Sequence, residues 1–449
     1  MEDMKETTVI ETLLENKQYT EIRQTLSELN EADIAVILED MEKEDMLKVF
    51  RILPKDLAAE VFSYMDLDNQ HFVITSLSDK DAGIIVDNLM ADDAADFLDE
   101  MPANVVTRIL ANASPETRRD INHLLRYPED SAGSLMTVEF VDLKENLTVA
   151  QAIGRIRKIG LDSETVNTCY VLDHRRKLIG TVSLRYLLLH KEDEVIGDFM
   201  NENVISINTL MDQEEVAELF QKYDFLSMPV VDNDNRLVGI ITVDDVMDII
   251  EEEATEDIEM MNAILPGDKP YMKTGVFEIC KNRIPWLLLL MLSSTFTGQI
   301  ITSFEDALSS CVVLTAFIPM LMGTGGNAGG QASATIIRGL SLNDIEFSDT
   351  FRVIWKEIRV AVLCGIILAV CNFFKLLVWD KVGVAVAAVV CLTLVVTVAI
   401  AKVVGAVLPL IVKRVGLDPA VIASPFITTI VDAMSLMIYF QIATALLHI

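Results

Sequence analysis

The chain has 449 residues, 51% of them hydrophobic, and a formal net charge of −32 at pH 7. Residues 1–283 carry the entire negative balance, whereas residues 284–449 contain equal numbers of acidic and basic side chains and the long apolar runs. This balance argues against a nucleic-acid-binding protein, because phosphates would be repelled. It predicts an acidic cytoplasmic region followed by a membrane domain, since the first residues lack the basic and apolar segments of a signal peptide.

Residues 1–130 are predicted to form a superhelix of short helices. Four segments, EADIAVILEDM, PKDLAAEVFSYM, DKDAGIIVDNLM and DDAADFLDEM, place apolar residues at helical spacing and leave acidic residues on the other faces. Helix starts are indicated by Ser78-x-x-Asp81, which is similar to a capping box, and by Ser114-Pro115, with proline at the first helical position. We therefore expect an all-α, acidic N-terminal domain.

Residues 131–250 contain a duplication. YVLDHRRKLIGTVSLRYLL, which starts at Tyr170, matches PVVDNDNRLVGIITVDDVM, which starts at Pro229. Each copy indicates strand, turn, strand and helix, with polar turn residues between apolar runs. The pattern resembles a tandem CBS domain, an α/β module that often senses adenosine nucleotides. The second copy has Gly239-x-x-Thr242-x-x-Asp245, which is similar to the ribose-binding pattern of such modules, whereas the first copy has Tyr186 in place of the aspartate.

Residues 244–270 are predicted to contain a connecting helix, DDVMDIIEEEATEDIEMMNAIL, that ends before Pro266-Gly267. Its many carboxylates repel one another and have no basic partner within the segment. Two interpretations stay open: a solvated acidic linker, or a gate between a sensor and a pore that cations would stabilise.

Residues 271–449 contain five apolar stretches, each long enough to span a bilayer. They run over residues 284–304, 308–337, 360–379, 382–412 and 421–447. With the N-terminus in the cytoplasm, most basic residues near span ends lie on the cytoplasmic side, among them Lys402, and the C-terminus is extracellular. This predicts a multi-pass protein of the cell membrane with a five-helix transmembrane domain.

The second and fifth predicted spans carry unusual residues. In AFIPMLMGTGGNAGGQASATIIRG, Pro319 is expected to kink the helix, and the glycines after it indicate either close helix packing or a loosened helix lining a wet cavity. The fifth span contains Asp432, which we interpret as the only acidic residue deep inside a span, with Glu357 just before the third. A carboxylate there favours an ion site over a structural helix cap, because burying it in lipid costs roughly 2.5–3.5 kcal/mol.

Taken in order, these segments resemble one family, the MgtE-type magnesium channels. The resemblance rests on the domain order and on RYPEDSAGSLMT from Arg126, GTGGNAGGQ from Gly323 and GLDPAVIASPFITTIVD from Gly416. It implies a homodimer in the lipid bilayer that is a Mg²⁺ channel rather than an enzyme and that intracellular Mg²⁺ closes. The pore and selectivity residues would be Asp432, Thr428, Asn327, Gly325, Gly326 and Ser424.

The same resemblance implies further ligand sites. Carboxylates that would bind Mg²⁺, besides Asp432, are Glu60, Asp92 and Asp96 in the first domain, Glu214, Asp224, Asp245 and Asp248 in the CBS pair, Glu253, Glu256 and Asp257 in the connecting helix, and Asp418 near the pore. ATP contacts at the CBS pair would be Tyr170, Arg185 and Phe225. Two alternatives remain open: a channel for Co²⁺, Ni²⁺ or Mn²⁺ as well, or a membrane-anchored CBS sensor that transports nothing.

Overall fold

The computed structural model describes residues 3–267, 271–272, 274–422 and 424–448. The chain forms two compact units, Met1–Ile250 and Glu251–Ile449. The first unit starts with an all-α region, in which helices two apart along the chain pack on each other, as α3, α5 and α7 do. Its helices are α1 (Asp3–Glu15), α2 (Tyr19–Leu26), α3 (Glu31–Glu39), α4 (Lys43–Phe50), α5 (Lys55–Ser63), α6 (Leu67–Ser76), α7 (Asp79–Asn88), α8 (Ala91–Asp99), α9 (Ala103–Asn112) and α10 (Pro115–Leu124).

The predicted helix starts in this region are confirmed. The side chain of Ser78 accepts a hydrogen bond from the backbone N–H of Asp81. The side chain of Ser114, which precedes Pro115, accepts one from the backbone N–H of Thr117. Such caps satisfy N–H groups that have no partner inside the helix. The apolar stripes form one continuous core that includes Phe62 and Phe97, whose rings meet edge to face at 5.0 Å.

The predicted duplication forms two similar three-stranded sheets. The order is β1-β2-β3 in one and β4-β5-β6 in the other, and in each sheet the first pair of strands is parallel and the second pair antiparallel. The elements are β1 (Phe140–Lys144), α11 (Val149–Ile159), β2 (Thr165–Leu172), β3 (Leu178–Ser183), α12 (Leu184–Leu189), β4 (Ile207–Asn208), α13 (Gln213–Tyr223), β5 (Ser227–Val231), β6 (Leu237–Thr242) and α14 (Val243–Met261). Helix α14 begins in the first unit and ends in the second.

The two hairpin turns have the same construction, as their sequences predict. The Asp173 carboxylate accepts two backbone N–H groups within its turn, and Asp232 does the same in the second. Arg176 and Asn235 occupy equivalent positions with φ of 64° and 63°. The turns also pair with each other, because the N–H of Leu237 donates to the carbonyl of Arg176 at 3.1 Å.

The second unit contains five helices that are long and apolar enough to cross a membrane, as predicted. They are α15 (Val276–Ser303), α17 (Ile318–Ser341), α18 (Thr350–Val378), α19 (Val384–Val415) and α20 (Ser424–Leu447), with the short helix α16 (Glu305–Ser310) after the first. Helix α19 packs against α17, α18 and α20 and is the most buried of the five, whereas α15 exposes nearly all of its apolar surface. Such exposed apolar faces suit contact with lipid.

One expectation for the second span, the kink at Pro319, is wrong. Pro319 does not kink a helix, because α17 begins at Ile318 and proline is accommodated in the first turn of a helix, where its missing N–H needs no partner. A short 3-10 helix, Val312–Phe317, precedes it. Of the two alternatives for the glycine-rich segment, the structure supports close packing rather than a loosened helix, since α17 continues unbroken to Ser341. The glycines therefore act through close packing on one face and through the cavity that they line on another.

Candidate functional site

A cavity of about 440 Å³, called the membrane cavity here, lies between α17 and α20. Its α17 residues form three adjacent pairs that recur every four positions, at 322–323, 326–327 and 330–331, so they share one helix face. It is lined by Met322, Gly323, Gly326, Asn327, Gly330, Gln331, Thr428 and Asp432. The structure thus brings together four of the predicted pore residues: Asp432, Thr428, Asn327 and Gly326.

Asp432 is half-buried, and its Oδ1 atom is buried without a hydrogen-bond partner among the described residues. A carboxylate oxygen that has lost water without gaining a donor raises the free energy of the folded protein by several kcal/mol. Glycines next to it leave the cavity open, and Asn327 and Gln331 add amide groups to the wall. The cavity can therefore hold water or a cation beside the carboxylate.

Gly325 does not line the membrane cavity, in contrast to its predicted pore role. It is buried on another face of α17, where an added Cβ would lie 2.8 Å from side-chain atoms of Thr397 and Val431. One turn further along α17, Gly329 contacts α19, where a Cβ added to Gly405 would collide with the carbonyl oxygen of Gly329. This face holds α17 against α19 and α20. The side chain of Ser424, also a predicted pore residue, lies outside the described part of the chain.

The first unit contains an acidic cavity of about 900 Å³. Four predicted Mg²⁺ ligands line it: Glu60, Asp92, Asp245 and Asp248. Sequence reasoning missed seven more acidic side chains on its wall, which are Asp56, Asp87, Asp93, Glu139, Asp162, Glu164 and Asp244. No local signal identifies most of them, because they come from three separate parts of the chain.

Burial and mutual repulsion perturb the carboxylates of the acidic cavity. Burial raises the pKa of Asp92 well above its usual range, and the nearby charge of Asp245 adds to this effect. Burial likewise raises the pKa of Asp245 to about 6, although a 2.8 Å hydrogen bond from the Thr242 hydroxyl opposes the change. The pKa of Glu164 is raised to about 7 by burial and by Asp244 and Asp245. Bound cations or protons would relieve this repulsion.

The cavity is not a finished metal site. In the described ranges, no three histidine, cysteine or acidic side chains lie close enough together to hold a metal ion. Three predicted ligands do not line the cavity at all: Asp96 is on the exposed face of α8, and Glu214 and Asp224 are at the two ends of α13. The carboxylates must therefore move closer together to bind one ion jointly.

The end of α14 belongs to the second unit and contacts α17 and the segment before α20. The half-buried Met260 and Met261 pack against Ile337 of α17 and Ala420. The Ser341 hydroxyl donates a long hydrogen bond, 3.5 Å, to Asp257. Burial raises the pKa of Asp257, and the charge of Asp418 contributes. The structure thus brings two predicted ligands, Asp257 and Asp418, near each other, while Glu253 and Glu256 lie earlier on α14.

A cavity of about 460 Å³, called the CBS cavity here, lies between the two copies of the duplicated module. Of the three predicted nucleotide contacts, Tyr170 and Phe225 line it, whereas Arg185 is exposed outside it. The Tyr170 hydroxyl lies 3.0 Å from Ser227 Oγ. Asp245, from the pattern that resembles a ribose site, lines the acidic cavity instead.

The sequence analysis also missed a buried ion pair. Glu357 lies inside α18 rather than before the third span, and Lys402 lies thirteen residues before the end of α19 rather than near it. Their Oε2 and Nζ atoms are 3.6 Å apart, with side chains only 13% and 9% exposed. A signal was present, because Lys402 is the one charged residue in the apolar run from Val382 to Val412. Asp432 is therefore not the only acidic residue inside a membrane helix.

Comparison with known families finds three matches. The family described as a divalent cation transporter matches residues 318–442, the MgtE intracellular N domain matches residues 29–130, and the CBS domain matches residues 196–252. The magnesium transporter MgtE of Thermus thermophilus is 40% identical over 334 residues, which cover 74% of each protein. That of Bacillus subtilis is 37% identical over 342 residues, or 76% of this chain and 74% of the relative.

Two solved structures each resemble about half of the chain. The soluble part of a magnesium transporter is 31% identical, with a TM-score of 0.54 over 56% of this chain and 99% of that one. The cytosolic domain of the Mg²⁺ channel MgtE in complex with ATP is 36% identical, with a TM-score of 0.52 over 54% of this chain and 99% of that one. Together with the five apolar helices, these matches establish that the chain belongs to the MgtE family of magnesium transporters.

Proposed function

We propose that this protein is a Mg²⁺-selective channel that admits Mg²⁺ to the cell down its electrochemical gradient and that intracellular Mg²⁺ closes. The observation that carries the proposal is Asp432, a carboxylate in a membrane helix that lines a cavity and has an oxygen without a hydrogen-bond partner among the described residues. Its relatives are named as magnesium transporters, which supports Mg²⁺ as the transported ion.

The membrane cavity suits an ion that keeps its water. Mg²⁺ dehydrates reluctantly and is usually bound by one or two carboxylates and several water molecules. The cavity offers a carboxylate, a hydroxyl and two amides in about 440 Å³, and one water molecule occupies about 30 Å³ in the liquid. We propose a homodimer in which two such cavities face each other, so that two Asp432 carboxylates share one largely hydrated ion.

The membrane potential is sufficient to drive uptake. Moving one elementary charge across 100 mV changes the free energy by about 2.3 kcal/mol, so the two charges of Mg²⁺ gain about 4.6 kcal/mol when the cell interior is negative. Because the potential supplies this free energy, the proposal needs no coupled nucleotide hydrolysis, and the sequence lacks the G-x-x-x-x-G-K-[ST] motif of a P-loop. The acidic N-terminal region and the connecting helix would lie in the cytoplasm, and the C-terminus outside the cell.

The acidic cavity supports closure by Mg²⁺. Asp92 is buried and Asp245 and Glu164 are half-buried, and this burial together with nearby acidic charges raises the pKa values of these three carboxylates. Divalent cations shared among them would draw the helical domain and the CBS pair together. A ligand shifts such an equilibrium only if it binds one state better, and carboxylate sites that are complete only in the closed state provide that difference. The carboxylates of α14 and Asp418 would then hold that helix over the pore.

ATP is proposed as a second cytoplasmic ligand. The CBS cavity contains Tyr170 and Phe225, and the similar cytosolic domain of an MgtE channel was solved in complex with ATP. Because Phe225 is 38% exposed beside the cavity, it is available to stack on a base.

Permeation is tested by Mg²⁺ flux into vesicles that contain the reconstituted protein. Asp432→Ala and the isosteric Asp432→Asn should both abolish selective Mg²⁺ flux. Asp344→Asn is the matched control, because Asp344 is exposed in a loop and should be dispensable. Normal Mg²⁺ flux through the Asp432→Asn protein would refute the pore assignment. Flux of Co²⁺, Ni²⁺ or Mn²⁺ at the same rate as Mg²⁺ would favour the broader divalent channel, and absence of all flux would favour a sensor that does not transport.

Gating is tested in the same vesicles with Mg²⁺ on the cytoplasmic side. Replacing Asp92, Asp96, Asp245 and Asp248 by asparagine should leave the channel open at millimolar Mg²⁺. The matched control replaces four exposed glutamates outside the acidic cavity by glutamine, namely Glu11, Glu15, Glu28 and Glu44. If the aspartate variant closes with the same Mg²⁺ dependence as the control, these carboxylates form only a solvated surface.

A further inference from the structure

A second large cavity of the first unit has the opposite character to the acidic one. This arginine cavity, of about 890 Å³, is lined by α10, by the residues after it and by both hairpin turns of the duplicated module. Five arginines line it, against three acidic side chains: Arg118, Arg119, Arg126, Arg176 and Arg236, with Glu116, Asp120 and Asp232. Such a concentration of arginine is unexpected in a chain with a net charge of −32.

Two of the five guanidinium groups already have partners. Arg118 donates to the carbonyl oxygens of Ala111 and Ala113, at 3.3 and 3.1 Å, and Arg119 donates to Asp120 at 3.0 Å. The other three have donors to spare. In the part of the chain that the structure describes, the side chains of Arg126 and Arg176 form neither an ion pair nor a hydrogen bond, and Arg236 has only a 3.6 Å contact to the exposed Asp234.

The backbone keeps these three arginines near one another. Arg176 has a φ of 64° in the first turn, and its carbonyl accepts the N–H of Leu237, the residue after Arg236. Arg126 follows α10 and lines the same cavity from the helical domain. The side chains of all three are exposed and solvated, and no acidic side chain of the described residues forms an ion pair with Arg126 or Arg176. Their N–H donors are therefore free to bind an anion that enters the cavity.

The shape and chemistry of the cavity indicate the class of ligand. The planar fork of arginine matches two phosphate oxygens at once, and Val138, Phe140, Leu237 and Val238 form an apolar wall beside the arginines. The volume is within the range of small-molecule sites, about 300–1,000 Å³. We propose that the arginine cavity binds a small di- or triphosphate, which contacts the helical domain and both CBS turns at once. It shares no lining residue with the CBS cavity and is therefore a separate site.

The test measures binding of inorganic tripolyphosphate to the full chain in detergent by calorimetry, with a chelator present so that Mg²⁺ does not sequester the probe. Replacing Arg126, Arg176 and Arg236 together by glutamine should weaken binding at least about tenfold, equivalent to 1.4 kcal/mol. The matched control replaces three exposed basic residues outside the cavity by glutamine, Arg23, Arg157 and Lys158, and should bind like the parent.

Two further binding measurements distinguish a nucleotide from an inorganic polyphosphate, and either phosphate from an acidic peptide. In a Phe225→Ala background, which weakens stacking in the CBS cavity, ATP that binds more tightly than tripolyphosphate identifies a nucleotide, and the reverse order identifies an inorganic polyphosphate. The proposal is overturned if tripolyphosphate does not bind at millimolar concentration, or if the arginine variant and the control lose affinity equally. It is also overturned if an oligoglutamate peptide binds these arginines more tightly than either phosphate, because the cavity then receives an acidic protein segment.

Discussion

Breaking the buried ion pair between α18 and α19 should destabilise the membrane domain strongly. In Lys402→Met, the carboxylate of Glu357 loses its partner at 3.6 Å while remaining only 13% exposed. At an effective dielectric constant of about 20, two charges at this distance attract by about 5 kcal/mol. Leaving one charge of a buried pair uncompensated usually costs about 3–5 kcal/mol. We therefore expect the free energy of unfolding to fall by about that amount.

Removing both charges should be far milder. In Lys402→Met with Glu357→Gln, no charge remains to be desolvated, and replacement of a whole buried pair is often neutral. The double variant should therefore lie within about 1.5 kcal/mol of the parent, and the two single effects should not add. The two helices also meet beside a cluster of small and apolar residues, among them Ala361, Ala401 and Val431. Val431 precedes Asp432 on α20, so this cluster contacts the helix that carries the carboxylate of the membrane cavity.

The assay is reversible unfolding of the detergent-solubilised protein by a denaturing detergent, followed by circular dichroism. Lys356→Met is the matched control, because Lys356 is exposed on the same helix as Glu357 and surface substitutions usually change stability by less than about 0.5 kcal/mol. The reasoning is refuted if Lys402→Met is no less stable than Lys356→Met. It is equally refuted if the two single changes add in the double variant, since the two charges then do not interact.

Two further predictions concern packing and pH. Gly405→Ala should prevent α19 from packing on α17 at Gly329 and should lower the yield of folded protein in detergent. Gly298→Ala is the control and should not lower the yield, because Gly298 has open space around it. Equal yields of the two variants would refute the close contact. With a chelator present, the unfolding temperature should rise as the pH falls from about 7 to 5. The pKa values of Glu164 and Asp245 in the folded protein, about 7 and 6, exceed their ordinary values of 4.5 and 3.8. The folded state therefore binds more protons than the unfolded state in this range, and protonation stabilises it. Glu164→Gln should reduce this rise, and an unchanged pH profile would contradict the assignment.

Features that depend on neighbouring residues could be read directly from the sequence. The helix caps at Ser78 and Ser114 and the two hairpin turns after Asp173 and Asp232 need only a few consecutive side chains and backbone groups. The five membrane helices follow from the length of the apolar runs. Asp432 was identified for the same reason, because a carboxylate within such a run is conspicuous whatever its surroundings.

The expectation for α17 shows where local reasoning ends. Proline and several glycines ordinarily weaken a helix, so the sequence predicts a kink at Pro319 and leaves both a loosened helix and close packing open for the glycines. The helix is continuous because Pro319 lies in its first turn and because Gly325 and Gly329 allow α19 and α20 to approach closely. The packing that offsets the poor helix propensity of glycine comes from residues that are distant in the chain.

Composition and periodicity by themselves determined the acidic N-terminal region, the duplicated module, the five long apolar helices and the carboxylate of the fifth. Only the tertiary structure decided which charges share a cavity or form a pair: Glu164 and Asp245 line the acidic cavity, Arg126 and Arg176 line the arginine cavity, and Glu357 pairs with Lys402 between two long apolar helices. The physical reason is that secondary structure depends on neighbouring side chains and backbone hydrogen bonds. The energy of a charge depends instead on its burial and on partners that the packing of distant segments supplies.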